Sequence, residues 1–358
     1  MVTIAVEVDS RTALRAVEER VTLALHELTD LWQQVAGRRA DVLGDRDLPW
    51  LIRNAAGGGK MIRPEMVHWG WVCAGAPEDR RAQVVELGAA IELLHLFALV
   101  HDDVMDRSEL RRGQPTCHVL AREAHQRAGA LGDAAGFGDA VAILAGDLLQ
   151  SEADHMVAAL PADVRGAWRL MMVELVLGQR RDLTGAALGR RDLAHAREVA
   201  RLKSGSYTVS GPLRMGAMLG GADDRLLGCL GRFADHVGEA FGLRDDVLGV
   251  WGDPSRTGKS VKDDLAAGKA TVLLALAHDR LSGSGRRLLA RAGSGTLSDD
   301  QLARLRDEMC RCGVRELVEE MISDEVARAC RELDPELVTQ EGIDGLTDIA
   351  HRIAWRQS

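Results

Sequence analysis

Residues 89–106 read AAIELLHLFALVHDDVMD, and the way this stretch folds decides the fold of the chain. Its apolar residues lack the alternation of a strand. Its polar residues Glu92, His95, Asp102 and Asp106 recur at spacings of three, four or seven. That spacing sets them on one stripe of a helix that is otherwise apolar. A surface helix would be polar over about half its circumference, so this one reads as a core helix with one polar line, suited to a polar cavity inside a bundle.

The stripe ends in three aspartates, Asp102, Asp103 and Asp106. A carboxylate taken out of water without a partner is costly or is driven neutral. The segment therefore ends at the surface or meets something strongly cationic. Asp102 and Asp106, at i and i+4, can aim two carboxylates at one point. Oxygen donors of this kind suit a hard cation, and Mg²⁺ characteristically takes one or two carboxylates together with substrate phosphate.

The rest of the 358-residue chain agrees with this reading. It is rich in Ala, Leu, Arg and Glu, with 8 Pro and one Tyr. Helical periodicity predicts helices over about 10–37, 46–55, 62–75, 79–106, 117–129, 139–158, 162–184, 192–204, 207–220, 223–250, 261–280, 284–293, 298–312, 314–332 and 343–355. Gly57 to Gly59, Gly113 with Pro115, Gly132 to Gly138, Pro161, Pro254 and Ser282 to Gly285 separate them. No strand alternation, fixed-period repeat or long linker is visible, so the expectation is one all-α domain over 1–358. A formal charge of -9 argues against a general nucleic-acid binder but leaves room for a local phosphate site. No run of about 18 uncharged apolar residues and no leader pattern appear, which predicts a cytoplasmic protein without a membrane span. The six cysteines include Cys310 and Cys312 as C-x-C, not the C-x-x-C of a zinc site, and read as reduced core thiols.

Asp-Asp pairs occur five times, at 102/103, 223/224, 245/246, 263/264 and 299/300. The three at 223, 263 and 299 have polar or breaker neighbours and read as solvated helix ends. The pairs at 102/103 and 245/246 both close apolar helices. Basic residues accompany them. Arg111 and Arg112 lie in ELRRGQPT, and arginine is the residue for multidentate phosphate recognition. Lys60 and Arg63 lie in GGGKMIRP, a glycine loop entering a helix, which lacks the spacing of a P-loop. Lys259 and Lys269 follow the second pair. Together these give two anion sites and one metal cluster.

In combination these motifs resemble the trans-isoprenyl diphosphate synthases, the polyprenyl synthetase family, from about Gly57 to Thr271. GGGKMIRP is similar to the isopentenyl diphosphate loop, and ELLHLFALVHDDVMDRSELRRGQPT to the first aspartate-rich motif. GQRRDL and RLKSGSYTVSGPLRMGA match the mid-chain segments, and FGLRDDVLGVWGDPSRTGKS resembles the second aspartate-rich motif. The resemblance implies an all-α bundle of the isoprenoid synthase type, acting as a homodimer. It implies that Asp102 and Asp106 hold two Mg²⁺ ions and Asp245 a third on an allylic diphosphate (dimethylallyl, geranyl or farnesyl), with Asp103 and Asp246 in support. Arg111, Lys203 and Lys259 would grip that diphosphate, with Gln179, Asp182 and Lys269 nearby. Lys60, Arg63, His95 and Arg112 would hold isopentenyl diphosphate. The reaction implied is ionisation, condensation and proton loss, lengthening the allylic chain by one isoprene unit.

The chain departs from the family pattern at Met61 (usually Arg), Gly242 (usually Gln), Ser204 (usually Thr) and Gly249, where the second motif's third Asp would stand. A class I terpene cyclase also uses a DDxxD motif, but its Asn/Ser/Glu triad is missing after Phe241. A non-catalytic homologue that binds diphosphates or a partner subunit need not retain metal ligands on two helices, and Asp102, Asp106, Arg111, Arg112, Lys203 and Asp245 are all present. On the family's pattern the growing chain runs back along the first aspartate helix. Ala98 and Phe97, four and five residues before Asp102, lie ~6–7.5 Å down that helix. A small fourth and an aromatic fifth residue resemble the geranylgeranyl-producing arrangement, with Phe97 as floor; farnesyl or longer products are the alternatives.

Overall fold

A computed structural model describes residues 10–37, 41–252, 265 and 268–357. Lys259 and the Asp263/Asp264 pair lie outside these residues. The described chain is helical apart from one two-stranded hairpin, and it divides into two compact units. The first comprises residues 1–68 and 78–165, the second 69–77 and 166–358.

In the first unit the helices are α1 (Ser10–Ala36), α2 (Leu48–Ala55), the opening turns of α3 (Ile62–Cys73), α4 (Arg81–Met105), α5 (Cys117–Arg127) and α6 (Ala134–Val157). The helix α4 is its axis and packs on α1, α5 and α6. Leu87, Ile91, Leu93 and Leu94 are fully buried on it, each worth ~1.5–3 kcal/mol of transfer from water. With the turn before it, α4 is long and apolar enough to cross a membrane, but 56% of that stretch is buried within the protein, as in a core helix. Two close approaches fix its neighbours. Gly88 meets the Val17 methyls of α1, and Gly146 of α6 lies under the His101 ring, where a Cβ would come within 2.2 Å of Nε2.

The helix α6 begins five residues earlier than the periodicity predicts. Asp133 caps it by accepting from Ala135 and Gly136 N–H, and Gly138 lets its backbone touch the His118 carbonyl of α5. Glycines that read as breakers are packing residues here. The hairpin pairs β1 (Leu110–Arg111) with β2 (Gln114–Pro115) around Arg112 and Gly113. Both turn residues have positive φ, 53° and 75°, as a type I′ turn requires.

The second unit is built on α10 (Asp224–Trp251), with α7 (Ala162–Ala187), α8 (Leu193–Ala200), α9 (Gly211–Leu219), α11 (Val272–Arg280), α12 (Gly283–Leu289), α13 (Asp299–Arg311), α14 (Val314–Glu332) and α15 (Gln340–Ala354). The predicted break near residues 205–206 is instead a ten-residue π-helix, Arg201–Ser210, continuous with α8 and α9. Its wider turn lets Gly205 lie against Gly238 of α10; a Cβ built on either would come within 3.2–3.5 Å of the other's Cα. None of the six cysteines is disulfide-bonded, and burial pushes the thiols of Cys73 and Cys117 up to about 12.

Candidate active site

In the first unit, α4 ends in a Schellman motif. Arg107 takes the left-handed conformation (φ 54°), and the N–H groups of Arg107 and Ser108 reach back to the carbonyls of Val104 and Asp103. Asp102, Asp103 and Asp106 therefore occupy the last turn, the negative end of the helix dipole, where carboxylates are disfavoured. Asp103 is resolved locally. It is 4% exposed and accepts from Arg111 Nε at 3.0 Å and from Nη2 at a shorter distance. The same Nη2 lies 4.0 Å from Asp102. Burial works against the charged guanidinium, but the hydrogen bond and charge of Asp103, with Asp102 and Asp106, outweigh it and hold Arg111 above its ordinary pKa. Asp102 and Asp106 stay half-buried.

About two to three turns earlier on α4 lies a second cluster. Glu92 is 8% exposed and lies against the glycine loop: a Cβ on Gly59 would come within 2.9 Å of its Oε1. Arg112 donates from Nη1 to the Gly57 carbonyl at 2.5 Å, so the hairpin tip holds the same loop. Arg63 is buried in the first turn of α3, and Lys60 is exposed just before it. Burial raises the Glu92 pKa, and the charges of Arg63 and Arg112 offset only part of that rise. His95 is pushed well below its ordinary value by burial, with Arg63, Arg112 and Arg111 adding to it. It is therefore a neutral hydrogen-bonding group, where the sequence shows only a basic residue type. Met61 holds φ 52°, so the departure from the family's arginine falls on a left-handed residue.

In the second unit, Lys203 on the π-helix donates to Asp182 of α7 at 2.7 Å. Gly178 lets α7 approach this closely, because a Cβ there would lie 2.4 Å from the Lys203 backbone nitrogen. Gln179 is the next residue along. Asp246 accepts from the Leu273 N–H at the start of α11, and Asp245 is held by Arg356. The Lys269 carbonyl accepts from Thr271 N–H. Gly242 faces Ala200, whose Cβ would be 3.2 Å from a Cβ there, so helix packing occupies the space a larger side chain would need.

The arrangement is two oxygen-rich, cation-flanked helix ends. Among the described residues no three His, Cys, Asp or Glu side chains converge into a complete metal site. Paired carboxylates that leave coordination positions to substrate oxygens are the donor set Mg²⁺ takes.

A sequence model of polyprenyl synthetase matches residues 50–309. The chain belongs to the polyprenyl synthetase family. It is 35% identical over 256 residues to a geranylfarnesyl diphosphate synthase of Aeropyrum pernix, covering 69% of this chain and 74% of that one. It is 36% identical over 270 residues to a (2E,6E)-farnesyl diphosphate synthase of Mycobacterium tuberculosis, covering 71% and 67%. Among solved structures, a geranylgeranyl pyrophosphate synthase from Corynebacterium glutamicum complexed with isoprenyl diphosphate and magnesium has a TM-score of 0.84. That chain is 32% identical, with 95% of this chain and 98% of that one covered.

Two residues of this synthase gain positions that the motifs did not indicate. Glu92 appears in the sequence only as a member of a stripe; in the fold it is the acid beneath the glycine loop. Arg356 lies 111 residues from Asp245, and no local pattern could pair them. Phe97 sets its ring edge-on to His101 at 4.7 Å, on the same side of α4.

Proposed function

We propose that this prenyl diphosphate synthase condenses isopentenyl diphosphate with an allylic diphosphate and that its product is geranylgeranyl diphosphate. The observation that carries the catalytic part is the placement of two half-buried carboxylates one turn apart at the end of α4, beside a buried arginine. Asp103 is committed to Arg111, while Asp102 and Asp106 remain half-buried one turn apart. In this reading Asp102 and Asp106 hold two Mg²⁺ ions and Asp245 a third. When bound they supply Lewis-acid neutralisation of the leaving diphosphate. Arg111 and Lys203, each pre-oriented by a carboxylate, take up the charge that grows as the allylic C–O bond breaks and its electron pair passes to the diphosphate. Lys259, Gln179 and Lys269 complete that grip. Lys60, Arg63, Arg112 and neutral His95 hold isopentenyl diphosphate so that its double bond adds to the allylic cation. Loss of a proton restores an allylic diphosphate five carbons longer. The whole chain acts as one catalytic domain.

Product length rests on Ala98 and Phe97 and on the His101 contact that holds the phenyl ring. Phe97→Ala should deepen the cavity and shift products beyond twenty carbons, and Ala98→Phe should shorten them towards farnesyl diphosphate. Mass analysis of products from dimethylallyl and isopentenyl diphosphates tests this; unchanged distributions in both variants refute Phe97 as the floor. We further read the protein as a cytosolic homodimer. The six unpaired thiols fit a reducing compartment. On α7, Leu170, Val173 and Val176 are 60%, 58% and 60% exposed, an apolar line that a second copy would cover. A monomer in sedimentation at micromolar concentration would refute the dimer.

A further inference from the structure

The last described residues of the chain are tied to the second aspartate pair. Arg244, next to Asp245 on α10, donates from Nε to the Ala354 carbonyl at the end of α15. Its two terminal nitrogens fork onto Glu319 of α14 at 3.0 and 2.6 Å. This fixes where the chain leaves α15. Trp355 stacks on His351 at 5.3 Å, and Arg356 then turns back over the Phe241 ring at 4.3 Å. From there its Nη2 donates to Asp245 Oδ1.

We propose that Arg356 is a resident counter-ion of Asp245 that a divalent cation must displace, so that the C-terminal segment sets the metal affinity of the second aspartate motif. This rests on the reading of Asp245 as a metal ligand. The contact is built to be exchanged. The Arg356 side chain is 13% exposed and stacked on an aromatic face, whereas that of Asp245 is 48% exposed and open to an incoming ion. Arg356 Nε is buried with no hydrogen-bond partner, so the guanidinium is incompletely satisfied where it lies. An ion pair with one half-exposed partner is weak. It neutralises Asp245 without closing it, and a divalent ion that also binds diphosphate oxygens can outcompete it.

The test is a Mn²⁺ titration followed by the electron paramagnetic resonance of the free ion, at saturating inorganic pyrophosphate. Wild type, Arg356→Met, Asp245→Asn and the double variant are compared. Methionine keeps an apolar stem over Phe241 and removes the charge. Arg356→Met should bind Mn²⁺ about two- to fivefold more tightly, the range a partly exposed ion pair supplies. In the Asp245→Asn background the same substitution should change nothing. Unchanged or weaker Mn²⁺ binding by Arg356→Met, with Asp245→Asn still weakened, overturns the counter-ion role alone. No weakening by Asp245→Asn overturns the metal-ligand reading itself. If Arg356→Met does not fold, Arg356→Gln gives the same comparison.

Discussion

Replacing Asp103 by Asn separates an anchoring aspartate from a metal-binding one. The substitution keeps shape and one acceptor but removes the charge that two Arg111 nitrogens share. The two side chains are 6% and 18% exposed, so solvent cannot replace the lost anion. Breaking a wholly buried pair from one side costs ~3–5 kcal/mol. Asn still accepts one hydrogen bond and Asp102 remains 4.0 Å from the guanidinium, so we expect about 2–3 kcal/mol here. That is roughly 30- to 150-fold in the folding equilibrium. Urea unfolding of wild type, Asp103→Asn, Arg111→Met and the double variant gives the coupling between the two residues directly. A coupling near 2 kcal/mol would identify the pair as the contact that is lost. The Mg²⁺ concentration for half-maximal turnover should stay close to wild type in Asp103→Asn and rise strongly in Asp102→Asn. Undiminished stability in Asp103→Asn, combined with a Mg²⁺ shift as large as that of Asp102→Asn, would refute this reasoning and make Asp103 a ligand.

Two other measurements probe the surroundings. His95 has a folded pKa below the ordinary 6.5, so the unfolded chain binds its proton first as pH falls. Its contribution is present above about pH 6.5 and is lost below it, at up to ~1.4 kcal/mol per pH unit. Urea midpoints between pH 7 and pH 5 should therefore fall less steeply for His95→Gln than for wild type. On α7 two glycine substitutions should act in opposite directions. Gly166 has nothing within 4 Å of a built Cβ, so Gly166→Ala should gain up to ~1 kcal/mol of helix propensity. Gly178→Ala drives a Cβ into the backbone of the π-helix and should cost ~1–3 kcal/mol or more. It should also raise the Michaelis constant for the allylic substrate by moving Lys203 off Asp182.

The sequence made the long helices legible because a 3.6-residue period survives local noise over twenty residues. The α4 stripe is the clearest case: its period alone sets Glu92, His95, Asp102 and Asp106 on one line of the helix. Legibility failed where a residue type has two physical uses. Gly138 reads as a breaker, but it lets the backbones of α5 and α6 meet at a distance no Cβ allows, so the helix runs through it. The hairpin at Leu110–Pro115 escaped because two-residue strands carry no alternation to detect. Positions fixed by distant partners escaped too. The lowered His95 pKa depends on burial and on arginines from α3 and the hairpin, and the Arg356 contact joins residues 111 positions apart.

The Asp-Asp pairs show how the fold adds information that spacing alone lacks. An aspartate at a helix N-terminus satisfies orphan N–H groups and the positive end of the dipole, worth ~0.3–1 kcal/mol. At a C-terminus the same charge is penalised by a similar amount. Asp223 accepts from the Leu226 N–H as the cap of α10, and Asp299 and Asp300 lie in the first turn of α13 beside a Ser298–Gln301 capping box. These two pairs are accounted for by the helices they begin. Asp102 and Asp103 lie in the last turn of α4, and Asp245 and Asp246 in the last two turns of α10, where the helix offers them nothing. Each of these two pairs then has one aspartate engaged by a buried or stacked arginine, Asp103 by Arg111 and Asp245 by Arg356. The difference between them is informative. Asp103 is almost wholly buried with its partner, whereas Asp245 keeps half its surface open and its arginine keeps an unsatisfied nitrogen. The first pairing is built to last through turnover, and the second is built to be broken.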